Sequence, residues 1–209
     1  MAPVAKNWTQ LVVDDRTAWP GNIGVRLGEP SSGLVVDLDL DSDEARLLAP
    51  AVLPPTGAIF GRPSAPASHW LYNCGESAPN AASSAARFAP GIGDPNQKSK
   101  PLLEMRSTGG QTMFPPSIHP SGEQVAWGQF GEPARIDASQ LDRAGALLAA
   151  TSLLLCHFPG EGARFYAYAA VIGTMLRCDV AEETVREIIA VFADRFGTRS
   201  ALAIRASEP

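Results

Sequence analysis

Hydrophobic and polar positions change rhythm near residue 136. Before that point short apolar runs are cut by Gly, Pro and Ser, as in "PSSG", "LPPTG", "GRPSAPAS" and "FPPSIHPSG". Such punctuation predicts strands joined by turns and loops. After it, three segments carry helical spacing. "DASQLDRAGALLAATSLLLCHF" opens on Asp137 as a cap and stops before Pro159-Gly160. "EGARFYAYAAVIGTMLRCD" follows. "AEETVREIIAVFADRFG" has acids in its first turn, Arg195 in its last and Gly197 as a stop. In this last helix Val185, Ile188, Ile189, Phe192 and Phe196 share one face, which predicts burial of that face. Residues 74–100 are small and polar and predict a long loop with one short helix at 81–88, a loop length that usually carries function.

One strand departs from this alternation. In "SGLVVDLDLDSDEA", Leu34, Val36, Leu38 and Leu40 face one way, and Val35, Asp37, Asp39 and Asp41 the other. Asp37 and Asp39 then lie about 7 Å apart at Cβ, close enough to converge on one divalent cation. Without a cation they repel, and one of them holds its proton to higher pH. An EF-hand loop also begins D-x-D-x-D, but it needs Gly at its sixth position and Glu at its twelfth, where this chain has Ser42 and Leu48. Asp41, three residues before Glu44, reads as the N-cap of a following helix, and Asp43 as a first-turn acid. Plain solvent exposure of all four acids is the competing reading.

Two further stretches bear on that choice. "LLEMRS" puts Leu103 and Met105 on one face and Glu104 and Arg106 on the other. A carboxylate beside a guanidinium suits a site that holds a metal and a phosphate together, since hard cations take carboxylates and Arg forks onto phosphate oxygens. A surface ion pair is the alternative. His69, in "PASHWLYN", begins another short strand and either serves the core or donates to a phosphate.

The bulk numbers narrow the function classes. With 209 residues, 45% of them hydrophobic, the chain can bury a sizeable core as one domain or a domain with an appendage. A net charge of −5 excludes a broad basic surface for duplex DNA but leaves a local groove near Arg62, Lys98, Lys100 and Arg106. Cys74, Cys156 and Cys178 are too widely spaced for a zinc site and leave one unpaired, which points to a reduced, cytoplasmic setting. The start lacks a signal-peptide layout, and no apolar run approaches the roughly 18 residues of a membrane span.

In order along the chain, "NIGVRLGEPSSGLVVDLDLD", "SHW", "LLEMRSTGGQTMFPPSIHPSG" and "FPGEGARFYAYAAVIGTMLRCDVAEETVREII" resemble the primase-polymerase (Prim-Pol) domains of the archaeo-eukaryotic primase superfamily, of the kind found in replication proteins of plasmids, phages and other mobile elements. The resemblance spans roughly residues 19 to 196. It implies an α/β (α+β) fold: a catalytic core of mixed sheets with flanking helices over residues 1–136, then a helical bundle over 137–209. It also implies template-directed nucleotidyl transfer. Asp37, Asp39 and Glu104 would be the catalytic, metal-holding acids for two Mg²⁺ or Mn²⁺ ions about 4 Å apart. Glu104 stands where the family often has Asp. His69 and Arg106 would bind the incoming triphosphate, with Arg62 and Ser68 as further candidates. Ser117 and His119 would line the nucleotide pocket or meet the sugar, unless "PPSIHPSG" is a rigid turn kept for its shape. Gly109 and Gly110 would let the backbone approach a phosphate.

The implied partners are a single-stranded DNA template and NTP or dNTP, with a helicase domain or protein in addition. Arg164, Arg177 and Arg199 are candidate backbone contacts, and Trp19, Trp70, Tyr72 and Trp127 candidate stacking residues. The family usually carries more chain ahead of "NIGVRLG" than the residues before Trp19, so part of its N-terminal lobe is expected to be absent or reduced. No G-x-x-x-x-G-K-[ST] segment is present for a helicase. A catalytically inactive module that binds nucleotide or single strands, and a metal-dependent phosphohydrolase, stay open as alternatives.

Overall fold

The computed structural model describes residues 21–29, 34–75, 86–88 and 101–197. Among the described residues, nine strands and four helices follow one another as β1 (Ile23–Arg26), β2 (Val35–Asp39), α1 (Asp43–Val52), β3 (Ile59–Arg62), β4 (Ala65–Asn73), β5 (Ala86–Phe88), β6 (Leu103–Arg106), β7 (Gln111–Phe114), β8 (Ala126–Gln129), β9 (Ala134–Arg135), α2 (Ala138–Cys156), α3 (Arg164–Arg177) and α4 (Glu182–Arg195). A 3₁₀ turn, Glu161–Ala163, precedes α3. Seven strands form one sheet in the order β5-β6-β2-β4-β3-β8, with β9 added parallel to β4 and every other pair antiparallel. β1 and β7 make a separate antiparallel ribbon. The α+β class and the mixed sheet expected from the sequence are both present.

The two faces of the central strand explain its odd composition. Val36 and Leu38 of β2, Trp70 and Tyr72 of β4, and Leu103 and Met105 of β6 point to one side and form the main core with α1, α2 and α4. α2 crosses so closely that a Cβ on Gly145 would lie 3.1 Å from Cε of Met105. The other side carries Asp37, Asp39, His69 and Glu104, covered in part by the β1–β7 ribbon. Near β1, Gly28 has φ +71°, and a Cβ there would stand 2.2 Å from the backbone nitrogen of Thr108, so the ribbon closes only around glycine.

Helix ends match their sequence signals with one exception. Asp137 caps α2 by accepting from the Ser139 N–H at 2.8 Å, as expected. Ahead of α1, however, Ser42 rather than Asp41 is the N-cap and accepts from the Ala45 N–H at 3.1 Å. The N–H groups of Asp41 and Ser42 both donate to the Leu102 carbonyl, which holds Asp41 beside the sheet and frees its carboxylate from capping. Asp43 does lie in the first turn, paired with Arg46. His69 does not begin a short strand but sits in the middle of the nine-residue β4. Of the short helix expected at 81–88, residues 86–88 are instead strand β5 on the edge of the sheet, and 81–85 lie outside the described residues. Lys98, Lys100, Trp19 and Arg199 also lie outside them.

The core does not divide at residue 136. Leu141, Leu148 and Leu155 of α2, Tyr168 and Met175 of α3, and Val185, Ile188 and Phe192 of α4 belong to the same buried cluster as the sheet and α1.

Candidate active site

Register places the polar residues in one row across the sheet. Glu104 of β6 pairs with Asp39 of β2, Asp39 with His69 of β4, His69 with Phe60 of β3, and Phe60 with Trp127 of β8. Asp37 sits one step along the same face of β2. Asp37 is fully buried, Asp39 and Glu104 nearly so. Such burial is costly for carboxylates unless something on that face compensates them.

The compensation is partial. Asp37 Oδ2 accepts from the Thr112 hydroxyl at 2.5 Å and lies 3.0 Å from His69 Nδ1. Asp37 Oδ1 is buried and has no hydrogen-bond partner. His69 Nδ1 is also 3.6 Å from Asp39 Oδ1. Arg106 forms an ion pair with Asp39 and another with Glu104 at 3.0 Å. Two cationic side chains thus face three buried acids, with Asp41 at the rim as a fourth. Ligand oxygens of Asp39, Asp41 and Glu104 all lie within 4.8 Å of one another. An orphaned carboxylate oxygen beside a convergent hard-oxygen set fits a divalent cation such as Mg²⁺ or Mn²⁺.

Titration behaviour reflects the crowding. Burial, and then the charges of Asp39 and Glu104, push Asp41 up to about 6. Burial also raises Asp39, against the opposing charges of His69 and Arg106. For His69, burial favours the neutral ring, but the charges of Asp37 and Asp39 outweigh it and hold the proton to higher pH than usual. With Nδ1 turned to Asp37, Nε2 is the nitrogen left for a ligand.

The remaining sequence candidates fall in three places. Ser68 is buried on the face of β4 opposite His69, the side of Trp70 and Tyr72, so its position does not suit a triphosphate. Arg62 lies at the end of β3, bonded to Ser64 Oγ at 3.2 Å and 3.3 Å from Glu123. His119 takes its place beside this group, with Nδ1 2.8 Å from Ser121 Oγ; partial burial and then the Arg62 charge lower its pKa. Ser117 is buried and accepts from the Ile23 N–H at 2.8 Å, while Asn22 makes paired bonds to the backbone of Ile118. The hydroxyl of Ser117 is therefore spent on tying the "PPSIHPSG" turn to β1, which accords with the rigid-turn alternative for that residue. Among the arginines after residue 136, Arg164 is committed to the Pro159 and Phe196 carbonyls and packs over the Phe196 ring. Trp70 and Tyr72 are core residues, whereas Trp127 is half-buried on the site face.

Sequence reasoning missed two contributors. Asp41 reads in the sequence as a cap, and only the adjacent Ser42, an equally good cap, hints otherwise. Thr112 gave no local signal, because its contact with Asp37 depends on how the ribbon folds over the sheet. Replacing Thr112 with valine keeps the shape but strips a hydrogen bond from a buried carboxylate. The expected cost is about 1–3 kcal/mol by urea unfolding without metal.

Among the described residues no helix is long and apolar enough to cross a membrane. No curated protein and no solved structure matches the chain. Residues 2–138 match the family model "Bifunctional DNA primase/polymerase, N-terminal", a stretch that includes Asp37, Asp39, Asp41 and Glu104, the histidines at 69 and 119, and both ribbon strands. The chain therefore belongs to the Prim-Pol family of DNA primase/polymerase domains.

Proposed function

We propose that the chain is a DNA-directed nucleotidyltransferase whose metal centre is formed by Asp37, Asp39 and Glu104, with Asp41 contributing at its rim. The observation that carries this reading is the unpartnered, fully buried Oδ1 of Asp37 on the face that gathers Asp39, Glu104, His69 and Arg106. Bound Mg²⁺ or Mn²⁺, as one ion or two, would supply activation of a 3′-hydroxyl and charge neutralisation at a leaving pyrophosphate. The protein's own groups set the stage for that chemistry. Thr112 and His69 fix the Asp37 carboxylate, and Arg106 orients Asp39 and Glu104 from the opposite side. His69 Nε2 and the Arg106 guanidinium are positioned to meet triphosphate oxygens. Arg62 and His119 extend the polar surface along β3 toward the "PPSIHPSG" turn. Service in the replication of a mobile element, with a helicase as partner, is supported by the ordered resemblance of the four sequence segments. A cytoplasmic setting is supported by three cysteines that are all unpaired.

Primer extension on a single-stranded template with Mn²⁺ and a mixture of NTPs and dNTPs tests the reading. Incorporation that follows the template base and stops on adding chelator is the expected result. Bound nucleotide with no extension would favour the inactive binding module.

The acids also set a pH dependence. A carboxyl raised to about 6 keeps its proton below that pH and is then a poor ligand. Mn²⁺ affinity is therefore expected to rise as pH increases from 5 to 7, with proton release near the lower end, measurable by calorimetry in two buffers. The metal-free protein behaves oppositely. A raised carboxyl pKa means that Asp41 lowers stability as pH rises from the unfolded value near 4 through about 6.

A further inference from the structure

The row that begins with the acids does not end at His69. The Phe60 ring stacks on the His69 imidazole with centroids 4.5 Å apart and planes 14° from parallel. Trp127 meets Phe60 edge-on at 5.1 Å, Phe114 meets Trp127 at 5.8 Å, and Phe130 meets Trp127 at 5.3 Å. Phe60 is wholly buried and Trp127 half-buried, but Phe130 is 84% exposed, more than any other large hydrophobic residue described. The series thus runs from the acids to an open aromatic surface at β8, the edge strand. Trp127 stands three strands from Asp39, about 14 Å at ordinary strand spacing.

An aromatic platform continuous with a nucleotidyl-transfer site suits a base better than a phosphate.

We propose that Trp127 and Phe130 form a stacking site for an unpaired nucleobase of the single-stranded DNA template. This rests on the nucleotidyltransferase reading above for the identity of the strand. The packing of Phe60 between His69 and Trp127 places the strand's base and the incoming triphosphate at opposite ends of one row. Stacking of this kind tolerates any base, so the site confers affinity for single strands and not sequence preference.

The test uses the full chain, without metal, and a fluorescein-labelled single-stranded oligonucleotide of about a dozen nucleotides, read by anisotropy. Phe130→Ala is expected to weaken binding by about 5- to 150-fold, and Phe130→Tyr to keep it near wild type. An oligonucleotide of the same length with abasic sites should bind wild type and Phe130→Ala alike. Nucleoside triphosphate binding in Mn²⁺ should be unchanged by Phe130→Ala. Failure of the wild type to bind the strand, unchanged binding of the normal strand by Phe130→Ala, or an equal loss for the abasic strand, would overturn the proposal. A loss confined to the free triphosphate would also overturn it, by assigning the rings to the incoming nucleotide. Because the strand arm needs neither metal nor turnover, its outcome is separate from that of primer extension.

Discussion

Asp37→Ala combined with Asp39→Ala is expected to reduce metal-dependent nucleotide incorporation by about 1,000-fold or more while leaving the fold intact. The size of the loss follows from position. Both acids sit on the middle strand of the sheet, and His69 and Arg106 are oriented by them, so the double change removes ligands and misplaces the triphosphate-facing groups together. The tolerance of the fold follows from electrostatics. Several carboxylates crowd one largely buried face, and Asp37 carries an oxygen with no partner, so their removal relieves a cost that the metal-free protein bears. His69 can then stay neutral, and Arg106 retains Glu104. Incorporation and thermal unfolding measured on the same preparation check both halves. Retained incorporation would remove these acids from the reaction; a collapsed melting transition would make them structural.

The second large effect concerns stability. Phe192→Ala in α4 is expected to cost about 3–5 kcal/mol, read as a lower urea midpoint by circular dichroism. Phe192 is fully buried, meets the Phe158 ring edge-on at 5.1 Å, and belongs to the cluster that includes Val36, Leu38 and Tyr72 of the sheet. A cavity there loses contacts on both sides of residue 136. Since that core is continuous, the variant should unfold in one transition shifted as a whole. Two separated transitions would show that the helices after 136 fold independently of the sheet.

Local patterns predicted much of this architecture. Alternation in "LVVDLD" and "LLEMRS" placed Asp37, Asp39, Glu104 and Arg106 on the correct common face, because period two survives in any straight strand. Helical spacing found α2, α3 and α4, and the buried face of α4 was legible down to Val185, Ile188, Ile189 and Phe192. What escaped was set by tertiary packing. Asp41 and Ser42 are both good caps, and only the bonds of their N–H groups to Leu102 decide which one turns toward the site. Ser68 and His69 are neighbours in sequence and opposites in space, so a site residue and a core residue read alike until the strand is aligned. Strand β5 lies in a small, polar stretch whose composition suggests loop, and its pairing with β6 supplies what propensity does not. Thr112 reaches Asp37 across 75 residues, a separation that no local pattern encodes.

If the acids of the middle strand and its neighbours form one divalent-metal centre, as proposed, Mn²⁺ affinity depends on each of them. Titrating Mn²⁺ at pH 7, followed by the loss of its free-ion paramagnetic resonance signal, tests it most directly, with wild type compared against Asp39→Ala and Glu104→Ala. Binding to wild type should be saturable and should weaken by about tenfold or more in each variant. Equal Mn²⁺ binding by all three proteins would contradict it and place the ion elsewhere.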